Sequence, residues 1–105
     1  MKLSDFEMEP RYPGADVAQA GRVRLDFGKY TLSVITGGYG DVDAPYEIAV
    51  FSEGEFVQLP GITAPDDDVG GWLTEAHVNC IITKLYLITA IAPTQVSGRM
   101  KCKSK

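Results

Sequence analysis

Two groups of aspartates offer the residue type that binds metal ions. Asp41 and Asp43 follow a glycine-rich stretch. Asp66, Asp67 and Asp68 stand consecutively, shortly before a pair of glycines. Neither group has the alternating acids, central glycine and closing glutamate of a calcium-binding EF-hand loop, so we predict no metal site. The alternative is a small metal-dependent enzyme or ligand-binding protein in which the two loops meet at one end of a sheet.

The other reactive side chains are few and lack partners in the sequence pattern. His77 is the only histidine, and a catalytic role would need a nucleophile or carboxylate held against it. Cys80 and Cys102 are too isolated to form a zinc site, and we expect Cys80 to be buried and Cys102 to be an exposed thiol. We therefore predict no catalytic residue and no cofactor, and the sequence favours a non-enzymatic protein over an enzyme.

Two aromatic residues stand beside glycines. Residues 37–41 form a glycine-rich segment without the lysine and serine or threonine of a phosphate-binding loop. We interpret it as a flexible connection between the second and third strands, with a binding loop that presents Tyr39 as the alternative. Trp72 follows two glycines just before a predicted helix. It could close one end of the core or contact a partner. Because aromatic residues are enriched at interfaces, Tyr39 and Trp72 are the candidate partner-binding residues.

Charge is distributed unevenly along the 105 residues. The last seven residues carry four basic groups and no acidic one, whereas residues 1–98 carry 6 basic and 14 acidic groups, a net charge of −8. Such an acidic body makes nucleic acid an improbable partner, because phosphates require cations. No apolar run approaches the roughly 20 residues that span a bilayer, and no signal-peptide core follows the acidic N-terminus. We expect a cytoplasmic protein without membrane association.

Alternating apolar residues predict four strands, at residues 22–27, 30–36, 46–51 and 55–59. Gly28 and Lys29 between the first two strands suit a two-residue hairpin turn. Short connections between consecutive strands favour an antiparallel meander.

Residues 74–91 contain a predicted helix. Thr74 is a suitable N-cap, and an apolar stripe at helical spacing follows at Val78, Ile81, Ile82 and Leu85. From Leu85 to Ile91 the segment is apolar on all sides, which fits a buried helix end, a strand or an oligomer surface. It is thus a candidate for self-association through Leu85, Leu87, Ile88 and Ile91.

These elements predict one α+β domain over residues 1–93, with a four-stranded antiparallel meander and one helix packed on one face. An irregular N-terminal arm is expected to cover half of the second face, and residues 94–105 are expected to be a disordered basic tail.

The order of these motifs resembles that of small uncharacterised proteins of tailed phages and prophages. The resemblance rests on residues 27–35, 38–40, 45–50 and 68–75, and it ends after Leu85. It implies no activity. Together with the acidic body and the aromatic loops, it favours a non-enzymatic accessory or host-modulating protein that binds a host or phage protein.

Overall fold

A computed structural model describes residues 2–37, 44–62 and 69–96, with the backbone alone for residues 18 and 69–72. Within these residues the chain forms one antiparallel sheet, one long helix and two short helical segments. The strands are β1 (Glu9–Pro10), β2 (Gly21–Asp26), β3 (Thr31–Thr36), β4 (Tyr46–Ser52), β5 (Glu55–Phe56), β6 (Val69–Leu73) and β7 (Thr94–Gln95). The helices are a 3₁₀ turn (Leu3–Asp5), α1 (Val17–Ala20) and α2 (Glu75–Thr89).

The β2–β3 hairpin follows the predicted pattern. Val23 lies opposite Val34 and Leu25 lies opposite Leu32, so the buried residues of both strands share one face. Gly28 has a φ of 84°, as a two-residue hairpin turn requires, and the Asp26 carboxylate accepts a hydrogen bond from its N–H at 2.7 Å. The alternation of the sequence therefore sets the register here.

The sheet has more strands than the four predicted. Its order is β1-β2-β3-β4-β5, and β6 also pairs with β4 while β7 also pairs with β2. The predicted fourth strand is reduced to the two residues of β5, and β6 takes much of the remaining edge of β4. The general prediction of an α+β fold with an antiparallel sheet and one substantial helix is confirmed.

Helix α2 begins at the predicted N-cap. Thr74 Oγ1 accepts a hydrogen bond from the His77 N–H at 3.2 Å. The helix continues to Thr89 and ends because Ala90 adopts a left-handed conformation with a φ of 58°. The segment that could have been a strand is thus helical up to Thr89, and the helix ends before Pro93.

The core lies between α2 and one face of the sheet. Val23, Leu32 and Ile48 on the strands pack with the predicted helix stripe, Val78, Ile81, Ile82 and Leu85. The N-terminal arm contributes Leu3, with Phe6 and Met8 packed against the cluster, so it lies on this same side. These three apolar side chains of the arm therefore pack in the core beside α2, and the prediction that the arm covers half of the second face stays a prediction.

The predicted disordered tail is also corrected at its beginning. Thr94 and Gln95 form β7, which pairs with Asp26 and Leu25 of β2. The strand forms because the edge of β2 has free hydrogen-bonding groups there, and β1 occupies only the opposite end of that edge, at Gly21 and Arg22. Residues 97–105 lie outside the described residues.

Candidate functional site

The structure describes only some of the residues that were predicted to carry function. Tyr39 and the aspartates at 41, 43 and 66–68 lie outside the described residues. The sequence indicated a loop position for Trp72, but this residue belongs to strand β6. In that strand Leu73 is paired with Tyr46 and Gly70 with Ile48, so Trp72 lies where the register between β4 and β6 shifts. Partner binding by Tyr39 and Trp72 stays a prediction.

His77 has a local structural role. Its Nδ1 lies 3.1 Å from Thr74 Oγ1 and accepts a hydrogen bond from the Thr74 N–H at 3.4 Å. Together with the bond from its own N–H to the Thr74 side chain, this closes a reciprocal cap at the start of α2. Cys80, expected to be buried, is instead exposed on α2.

Metal-ligating residues do not assemble in the part of the chain that the structure describes. There, no three side chains of histidine, cysteine, aspartate or glutamate come close enough to hold an ion. Among the described helices, none combines the length and apolar character needed to cross a membrane.

The far end of α2 carries an exposed apolar surface formed by Leu87, Ile88 and Ile91. Their exposed fractions are 71%, 57% and 44%. Leu85, which was predicted to belong to this surface, is fully buried in the core. The surface is therefore built by the residues on the outer side of the helix and just after its end. We call these three residues the helix-end surface.

Hydrogen bonds fix the shape of the helix-end surface. Thr89 Oγ1 donates to the Leu85 carbonyl oxygen at 2.8 Å and accepts from the Ile91 N–H at 3.2 Å. The Ile91 side chain lies over the hairpin turn, since a Cβ added to Gly28 would fall 2.5 Å from Ile91 Cδ1. The surface thus rests on both the helix and the β2–β3 turn.

Two lysines lie near the helix-end surface in the described part of the chain, and the Nζ of one of them, Lys84, donates a hydrogen bond to the Gly61 carbonyl oxygen at 2.8 Å. Residues 80–96 include Lys84 and no acidic residue. Lys84 lies one turn before Leu87 and Ile88 on the same side of the helix. Lys29 follows Gly28 in the adjoining turn, where Asp26 is the acidic neighbour. This composition differs from that of residues 1–98 as a whole, whose net charge is −8.

A small cavity that is open to solvent lies at the opposite end of α2, beside the N-terminal arm. Its volume is about 190 Å³. Its apolar walls come from Leu3, Phe6, Met8 and Val23, and the polar residues Ser4, Tyr46 and Glu75 also line it. Burial, together with the negative charge of Glu75, raises the pKa of Tyr46 above its ordinary value of 10.0.

The second face of the sheet has a mixed character. The half-buried residues that alternate with the core on β2, β3 and β4 are Arg22, Arg24, Asp26, Thr31, Ser33, Ile35, Glu47, Ala49 and Phe51. At one end the rings of Phe51 and Phe56 lie 4.6 Å apart. Two arginines are balanced by two acids, which is not the excess of cations that nucleic acid requires.

Comparison of the chain with protein-family models, with curated proteins and with solved structures finds no match. The candidate surfaces therefore depend on this chain's own geometry. The sequence pattern pointed to the apolar residues of the helix-end surface. It missed the cavity, because the arm that builds one wall has no periodic pattern.

Proposed function

We propose that this protein is a non-enzymatic binding protein that contacts another protein through the helix-end surface. The observation that carries the proposal is the exposure of Leu87, Ile88 and Ile91 on a helix end without acidic residues. Contiguous exposed apolar side chains of this kind mark interaction sites more often than single exposed residues do. A phage or prophage origin, with a host or phage protein as partner, is part of the same proposal.

The exposed area is large enough to contribute usefully to binding. The three exposed fractions together equal about 1.7 whole side chains, and burying that much leucine and isoleucine contributes about 3–5 kcal/mol. Association also loses translational and rotational freedom. Binding through this surface therefore needs additional contacts from its surroundings. The lysines beside it offer charged contacts to a partner.

The lysines beside the helix-end surface indicate which kind of partner fits it. A partner segment with apolar residues flanked by carboxylates would meet Lys84 and Lys29 with opposite charge. A second copy bound by two-fold symmetry would instead place the lysines of both copies near the same contact. We therefore commit to an acidic amphipathic helix or strand of a different protein as the occupant.

A defined peptide tests this proposal. A short helical peptide with leucines at i, i+3, i+4 and i+7 and glutamates beside them should bind the full chain, as measured by fluorescence polarisation. The same peptide with lysines in place of the glutamates should bind more weakly. The double variant Leu87→Ser/Ile88→Ser should weaken binding of the acidic peptide at least about 20-fold, because it removes more than one exposed side chain of apolar area.

The matched control is Tyr12→Ser, which truncates another exposed large apolar residue, 60% exposed, in the N-terminal region. It should leave peptide binding unchanged. Sedimentation equilibrium of the wild type and the double variant checks the rival occupant. If the wild type forms a dimer and the double variant does not, the surface binds a second copy and the acidic-partner proposal is overturned. Equal binding of the acidic and basic peptides would overturn it as well.

A further inference from the structure

We infer that the cavity beside the N-terminal arm is a ligand site for a small organic ammonium ion whose apolar part is no larger than one ring. This inference is independent of the proposed function. The cavity lies at the start of α2, whereas the helix-end surface lies on its last turn and just after it, so either proposal can fail without the other.

The volume of the cavity indicates how large a group it can hold. An engineered apolar cavity of about 150 Å³ in another protein holds benzene, whereas sites for drug-sized molecules begin at about 300 Å³. At about 190 Å³, this cavity accommodates one ring or a short branched chain. The walls formed by Leu3, Phe6, Met8 and Val23 offer that group an apolar environment.

The polar residues define the charge of the ligand. Glu75 is the charged residue among those that line the cavity, and it lies in the first turn of α2. A tyrosine hydroxyl is neutral at physiological pH, and burial raises the pKa of Tyr46 further, so this hydroxyl can accept a hydrogen bond from an ammonium group. A carboxylate and a neutral phenol beside an apolar cavity therefore select a cation over an anion.

The wall formed by the arm is held in place without a ligand. On one side of Phe6, the Leu3 N–H donates to Asn79 Oδ1 at 2.7 Å. On the other side, the Glu7 N–H donates to Gln95 Oε1 at 2.9 Å. These two anchors come from α2 and β7, so the apolar wall is preformed and a ligand need not order it.

Titrations of the full chain with three one-ring probes test the inference. The probes are benzylammonium, the neutral benzyl alcohol and the anionic benzoate, and the readout is the set of backbone amide shifts in ¹H–¹⁵N spectra. Benzylammonium should shift the amides of Phe6, Tyr46 and Glu75 saturably. Benzyl alcohol should bind about two- to fivefold more weakly, the factor that a solvent-exposed ion pair contributes, and benzoate should bind more weakly still.

Two glutamate variants separate the role of Glu75 from general electrostatics. Glu75→Gln should remove the preference for benzylammonium over benzyl alcohol. Glu55→Gln, which neutralises an exposed carboxylate on β5 outside the lining, should keep it. The inference is overturned if benzylammonium produces no saturable shifts at these amides. It is also overturned if benzoate binds equally well, or if the preference survives in Glu75→Gln.

Discussion

The buried hydroxyl of Thr36 joins three segments of the chain, and its removal is the most informative stability test. Thr36 is 5% exposed and is the buried polar residue of the described core. Its Oγ1 accepts a hydrogen bond from the Gly21 N–H at 2.8 Å and donates to the Val17 carbonyl oxygen at 3.2 Å. Its own carbonyl oxygen accepts from Arg11 Nη1 at 2.9 Å. Thr36→Val keeps the shape of the side chain and removes both hydroxyl bonds.

The expected loss of stability follows from what the substitution leaves unpaired. Gly21 is buried, so its N–H loses its partner without gaining access to water, at a cost of about 1–3 kcal/mol. The Val17 carbonyl lies at an exposed residue and can turn to water at a smaller cost. We expect Thr36→Val to lower the free energy of unfolding by about 2–3 kcal/mol in total. For a domain of this size that corresponds to a melting temperature lower by about 10 °C or more.

Thr36→Ser is the matched control. It keeps the hydroxyl and loses one methyl group, which costs about 1 kcal/mol. Urea denaturation followed by circular dichroism measures both variants against the wild type. If Thr36→Ser proves more damaging than Thr36→Val, or if Thr36→Val unfolds at the wild-type urea concentration, the hydroxyl does not hold these segments together and the reasoning fails.

Three further predictions use the same unfolding measurement. Gly21→Ala should cost about 1–3 kcal/mol, because its Cβ would overlap the Val17 carbonyl oxygen and the Met8 side chain; an unchanged midpoint would contradict this packing. Thr74→Ala should cost about 1 kcal/mol through loss of the cap of α2, whereas Thr74→Ser should cost little. The pKa of Tyr46 is raised in the folded state, so its contribution to stability is present below its ordinary value of 10.0 and is lost as the pH rises through the folded value. Tyr46→Phe should therefore flatten the fall in stability as the pH rises above 10.0, and parallel profiles would contradict this cause.

The elements predicted correctly from the sequence are those with local signals. The β2–β3 hairpin has unbroken alternation and a glycine at the turn position that needs a positive φ. Helix α2 has a capping threonine and an apolar stripe, and Val78, Ile81 and Ile82 all enter the core. In both cases neighbouring residues determine the outcome, so a single sequence suffices.

The elements that the sequence did not indicate depend on contacts between distant segments. Strand β6 contains Gly70 and Gly71, which disfavour a strand, and it forms because the edge of β4 offers unpaired hydrogen-bonding groups. Strands β1 and β7 are only two residues long, which is too short for any periodicity. The cavity combines side chains from the arm, β2, β4 and α2, so no single stretch reveals it.

The pairing of both ends of the described chain with β2 has a consequence for biosynthesis. Strand β2 leaves the ribosome early, but the strand that covers its second half, β7, is among the last of the described residues to be made. Anchoring of the N-terminal arm is delayed equally, because the Glu7 N–H donates to the side chain of Gln95, 88 residues further along the chain. The edge of β2 therefore stays incompletely paired on a partly translated chain, open to strands of neighbouring nascent chains. The sheet cannot be completed until residues 94–95 have been made, and chaperones that shield strand edges should matter most in that interval.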